Sequence, residues 1–187
     1  ISGLWKWKPI LFRADPFMFV KGNELFLFYE IQYGFDYGRI AMIKTNDLVH
    51  WSDPVVVLQE PFHLSFPFVF EEDHHIYMIP ESQESDTIRL SRANDDLTSF
   101  SFVRILLRQE RVNGLQCNYV DSHVYKKNGI FYLFTSYMKD WKSTQELYVS
   151  DNLLDGLFKK HPSSPICIGH EFGRNGGSII EYEDKLL

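Results

Sequence analysis

Asp15-Pro16-Phe17-Met18-Phe19, a polar turn, and then Glu24-Leu25-Phe26-Leu27-Phe28-Tyr29-Glu30 make up the stretch that decides the fold. It returns 51 positions later as Phe66-Pro67-Phe68-Val69-Phe70, a turn at Asp73-His74-His75, and Ile76-Tyr77-Met78-Ile79-Pro80-Glu81. Pro16 falls on Pro67, and Glu30 falls on Glu81. A third copy begins Asp121-Ser122-His123-Val124-Tyr125, turns at Asn128-Gly129 and continues Ile130-Phe131-Tyr132-Leu133-Phe134. A fourth begins Arg174-Asn175-Gly176-Gly177-Ser178-Ile179-Ile180, with Arg174 in the place of Arg13, and turns at Glu183-Asp184.

Each copy is two apolar strands around a turn, and Asn128-Gly129 is the strongest hairpin signal among them. A second hairpin is predicted in each complete copy. It pairs residues 39–43 with 46–51, 87–91 with 94–100, and 145–149 with 151–158. Four strands per period of about 50 residues predict an all-β chain, a β-propeller of four-stranded antiparallel blades. The blades are expected at about 12–58, 62–108 and 117–166, with the start of a fourth at 173–187, all within one domain. A β-sandwich also spaces its strands evenly, but it does not call for a repeat. Three and a half blades leave open sheet edges, so further blades are expected elsewhere, and the chain reads as an excised piece.

Composition agrees with sheet. Hydrophobic residues make up 44% and aromatics 16%, and Tyr, Phe, Val and Ile fit a pleated, half-buried surface. That apolar content excludes a disordered chain. The net charge of −6 argues against nucleic-acid partners and anionic membrane surfaces, which call for clustered Lys and Arg. No apolar run reaches membrane-spanning length. Cys117 and Cys167 fit no metal spacing and are expected as reduced, partly buried thiols. The compartment is unknown, with cytoplasmic favoured.

In a propeller the first strand of each blade lines the central axis. Asp15 and Asp121 share one repeat position at the start of that strand, so both are expected to face a common funnel, where paired carboxylates activate water or tune each other. Each also suits a turn-capping role. Arg13 and Asp15 lie two apart and share a strand face, as do Asp121 and His123. His63 precedes the inner strand of blade two. A metal site from Asp121, His63 and His123 has no supporting spacing, so neither metal nor cofactor is expected. Gly173-Arg174-Asn175-Gly176-Gly177 lacks the Lys-Ser/Thr ending of a phosphate loop and reads instead as close backbone approach. Trp141, in the polar stretch Lys139–Ser143, is the candidate for stacking on a sugar ring, whereas Trp51 is expected to pack between blades.

Arg13-Ala14-Asp15-Pro16-Phe17, Asn46-Asp47-Leu48-Val49-His50-Trp51 and Val120-Asp121-Ser122 resemble the five-bladed glycoside hydrolases of family 43. The resemblance implies an inverting hydrolase with Asp15 as general base and Asp121 adjusting the acid. The family's acid is usually a Glu on the inner strand of blade four, where this chain reads Arg174-Asn175-Gly176-Gly177; Glu171, just upstream, is the candidate. A second resemblance covers nearly the whole chain. Residues 62–71, 77–82 and 174–177 are similar to the propeller domain at the N-terminus of glucosamine inositolphosphorylceramide transferases and its bacterial relatives. It implies a carbohydrate ligand and a transferase domain in the full-length protein. The site set is thus Asp15, Asp121 and Glu171 for chemistry, with Arg13, His63, His123, Trp141 and Arg174 for binding. The two functions in view are glycosidic hydrolysis and non-catalytic glycan recognition or scaffolding.

Overall fold

The computed structural model describes residues 9–109, 111–112, 115–139, 142–169, 173–183 and 185–186, with backbone alone at 111, 112, 115, 116, 139 and 186. Contacts divide it into two compact units, one running to Met78 and including Ser91–Phe102, the other made of Ile79–Leu90 and Val103 onwards.

Blade one is the antiparallel meander β1 (Ile10–Lys21), β2 (Glu24–Tyr33), β3 (Arg39–Thr45) and β4 (Val55–Leu58). Blade two repeats it with β5 (Ser65–Glu72), β6 (His75–Glu81), β7 (Thr87–Ala93) and β8 (Phe100–Arg108). A short pair follows, β9 (Arg111–Val112) with β10 (Leu115–Gln116). Blade three is β11 (Val120–Lys127), β12 (Ile130–Lys139), β13 (Lys142–Ser150) and β14 (Lys159–Lys160), with β15 (Cys167–Ile168) also pairing with β13. The apolar residues that alternate along these strands build the cores. In the first unit Phe26, Phe28, Ile40, Met42, Leu64 and Met78 are buried with Leu97 and Phe100, and Phe17 meets Phe66 edge-on with centroids 4.7 Å apart. In the second, Tyr119 and Tyr148 join hydroxyls at 2.6 Å, and Arg104 donates to the carbonyls of Leu154 and Gly156 at 2.5 and 3.0 Å. Both cysteines are free thiols, Cys117 buried and Cys167 half-buried.

The hairpin turns follow their chemistry. Asn128 and Gly129 take φ of 52° and 79°, and Asp73 and His74 take 47° and 61°, the paired positive values of a type I′ turn whose twist matches the strands.

Two expectations need correction. The blocks expected as outer strands, 46–51, 94–99 and 151–158, are turns and bends, and the outer strands start only at Val55, Phe100 and Lys159. The Asp47 carboxylate accepts from the backbone N–H groups of Val49 and His50 at 2.9 and 2.8 Å, and the Thr45 hydroxyl accepts from those of Asp47 and Leu48. Side-chain oxygens therefore satisfy this backbone locally, in competition with a ladder. Asn152 does the same for Leu154 and Asp155 in blade three. In the fourth copy, residues 174–180 form no strand, and the hairpin β16 (Glu181–Tyr182) with β17 (Lys185–Leu186) has only two residue pairs. Without a partner ladder the Arg174–Ile180 stretch is free to line a cleft.

Candidate functional site

The two acids of the repeat position share an unusual backbone. Asp15 has φ 50° and Asp121 φ 52°, and the ladder register shifts between Ala14 and Phe17 and again between Val120 and His123. These are β-bulges, which re-aim a side chain and are common beside functional sites. A left-handed conformation at a non-glycine residue costs of order 1–3 kcal/mol and persists only where its surroundings hold it. Phe66, the equivalent residue of blade two, takes φ 43°.

In the first unit, Asp15 Oδ2 accepts from the backbone N–H of Phe66 at 3.2 Å, so the acid of one copy is tied to the equivalent residue of the next. Arg13 does not pair with Asp15 among the described residues; it hydrogen-bonds Tyr29, whose hydroxyl burial pushes up and Arg13 pulls back down. His63, half-buried, reaches towards Glu30. Its Nδ1 accepts from the Gly38 N–H at 3.1 Å, which places the ring hydrogen on Nε2, and Nε2 lies 3.2 Å from the buried Glu30 carboxylate. Gly38 is required here, since a Cβ at this position would sit 2.5 Å from Glu30 Oε1 and 2.7 Å from both His63 and the Leu64 carbonyl. The sequence offered Glu30 only as a repeat match of Glu81; its role as the partner of His63 is a long-range contact.

In the second unit, Asp121 is 4% exposed. Arg174 holds it with both arms of its guanidinium, Nε to Oδ2 at 2.5 Å and Nη2 to Oδ1 at 2.8 Å, the fork geometry in which Arg binds carboxylates best. The Asn175 amide donates to the Asp121 carbonyl at 2.5 Å, and Gln145 donates to the Asn175 side chain. His123 stacks on Phe134 with centroids 5.2 Å apart. Burial pulls its imidazole down to about 4, opposed by a hydrogen bond with the Asp121 backbone, so the ring is neutral at physiological pH. His123, Phe134, Gln145, Arg174 and Asn175–Ile180 line a cleft of about 510 Å³, a size that suits a small ligand. Gln145 and Asn175 were not singled out from sequence, because nothing local marks a half-buried amide, whether on strand β13 or in the strandless stretch after Gly173. A further buried acid, Glu146, is held by Lys160 at 2.9 Å and by the Ser164 hydroxyl, and is a structural ion pair.

Glu171 and Trp141 lie outside the described residues. Among the described residues no three His, Cys, Asp or Glu side chains gather as metal ligands, and no helix is long and apolar enough to cross a membrane.

Known proteins fit this architecture. A family 117 glycoside hydrolase from the marine bacterium Zobellia galactanivorans superposes with a TM-score of 0.71 over 85% of this chain and 58% of its own, at 14% identity. A thermostable family-43 glycoside hydrolase does so with a TM-score of 0.67 over 81% and 54%, also at 14% identity. At that identity the likeness speaks for the fold. The glucosamine inositolphosphorylceramide transferase 1 of Arabidopsis thaliana is 33% identical over 186 residues, or 95% of this chain, which spans only 23% of that relative. The family model of the N-terminal region of glucosamine inositolphosphorylceramide transferase 1 matches residues 6–187. The chain therefore belongs to that N-terminal family, and its fold is an all-β propeller of four-stranded antiparallel blades.

Proposed function

We propose that this propeller is a glycan-recognition domain of a longer transferase protein, and that the acids at its repeat position are cross-ties between blades, not hydrolytic groups. Phe66 carries this reading. It takes the left-handed conformation of Asp15 and Asp121 without any carboxylate, so that backbone conformation is a property of the repeat and does not by itself mark catalysis. Both acids are also engaged, Asp15 by the Phe66 N–H and Asp121 by Arg174. Carbohydrate is the common chemistry of the family name and of the fold neighbours. The cleft beside Asp121 suits an uncharged sugar, because Arg174 is neutralised, His123 is neutral, and the Gln145 and Asn175 amides can exchange hydrogen bonds with hydroxyls.

Calorimetric titration of the chain with hexaoses of glucose, xylose, arabinose, mannose and glucosamine tests the proposal. At least one should bind, and Gln145→Ala or Asn175→Ala should weaken it about 3–10-fold, the worth of one hydrogen bond. Absence of binding to every member of the panel refutes the recognition role. The second reading is hydrolysis with Asp15 as base, Asp121 as modulator and Glu171 as acid. It draws support from the shared repeat position of the two aspartates and predicts sugar release that Asp15→Asn abolishes.

A further inference from the structure

Resting on the glycan reading, a second contact surface stands out in the first unit, on the connection between β2 and β3. That turn, Gly34-Phe35-Asp36-Tyr37-Gly38, lies at the end of the sheet where β1 begins, as the pairings Ile10 with Tyr33 and Ala14 with Glu30 require. It is therefore at the same end as Asp15 and His63. Phe35 is fully exposed and Tyr37 is 51% exposed. One exposed apolar residue is ordinary; two aromatic rings flanking an acid within one short turn are a concentrated display.

The display is rigid. Gly34 has φ 56°, and its N–H donates to the Pro9 carbonyl at 3.1 Å. The Asp36 N–H donates to the Tyr33 carbonyl, and the Gln32 amide donates to the Asp36 carbonyl at 2.8 Å. Gly38 is bonded on both sides, its N–H to His63 and its carbonyl to the Leu64 N–H. The backbone is thus fixed while the rings point into solvent, an arrangement that spares a ligand the entropy of ordering a loop.

Beside the rings lies a cleft of about 420 Å³, lined by Phe35, Asp36, Tyr37, Arg39 and the segment Gln59-Glu60-Pro61. The Asp36 carboxylate and the Arg39 guanidinium are 3.5 Å apart and largely cancel each other's charge. Apolar ring faces, an amide and paired charges within reach of hydroxyls match the surface of a pyranose, which is apolar on its C–H faces and polar at its rim.

We propose that Phe35 and Tyr37 form a saccharide-stacking platform, a binding subsite for a neutral sugar ring that shares no lining residue with the cleft beside Asp121.

The test is titration of Phe35→Ala, Tyr37→Ala and the double variant with the hexaose that binds the unmodified chain most tightly. The double variant should bind about tenfold more weakly, as loss of a stacking aromatic anchor implies, with its thermal melting temperature unchanged because neither ring packs in the core. Saturation-transfer NMR should place sugar C–H protons on these rings. If the double variant binds as the parent does while Asn175→Ala is impaired, the platform is refuted and glycan recognition stands. If no hexaose binds the parent chain, both fall.

Discussion

Blades one and three put an aspartate at the same repeat position with nearly the same φ, 50° and 52°, yet surround the two carboxylates differently. Asp15 meets a single backbone N–H, whereas Asp121 is enclosed and gripped by a guanidinium fork. The bulge recurs because the ladder of each copy recurs. The partner comes from the following copy, and the copies differ there: the second offers the Phe66 backbone, the fourth the Arg174 side chain. Repeat equivalence thus specifies where a side chain starts, and its surroundings decide what it does.

The largest expected effect lies in blade three and is pH-dependent. An unfolded His123 takes up a proton near 6.5, whereas the native ring resists until about 4. Between those values the unfolded chain binds more protons, so this contribution is complete above pH 6.5 and is lost as pH falls towards 4. It amounts to about 3 kcal/mol. Urea unfolding at several pH values should show this loss, and His123→Phe should flatten that part of the curve. An unaltered slope in the variant would contradict the burial assigned to His123.

Removing the fork comes next. Arg174→Leu leaves the buried Asp121 uncompensated, a loss usually worth 3–5 kcal/mol; since the Arg174 side chain is 55% exposed, water screens part of the pair and about 2 kcal/mol is expected. In blade one the comparable weak point is Gly38. Gly38→Ala forces a Cβ against the Leu64 carbonyl and the Glu30–His63 pair, and should cost about 2 kcal/mol in urea unfolding. Asp15→Asn should be the mildest change, at most about 1 kcal/mol, because the amide oxygen still accepts from Phe66. If Asp15→Asn proved as damaging as Arg174→Leu, the contrast between the two blades would collapse.

Much of this fold is legible in the sequence, because alternating apolar residues at a fixed period leave little choice but repeated half-buried strands. The turn at Asn46–Trp51 is the instructive miss. Leu48 and Val49 look like strand residues, but Asp47 and Thr45 capture the local N–H groups and Leu48 adopts φ 63°. Leu97 at φ 60° marks the same device in blade two. At the site, repeat position identified Asp15 and Asp121, and the Arg13–Arg174 equivalence drew attention to Arg174. The sequence could not pair Arg174 with Asp121, 53 positions away, or His63 with Glu30, since such contacts depend on which blades become neighbours. Gln145 and Asn175 were invisible for the same reason.

The most direct test of the cross-tie account is reducing-end release from the panel of hexaoses and aryl glycosides, measured over long incubation beside binding. The account predicts no release above background by the unmodified chain, and glycan affinity retained in Asp15→Asn. Steady release by the unmodified chain that vanishes in Asp15→Asn would make that carboxylate catalytic and overturn it.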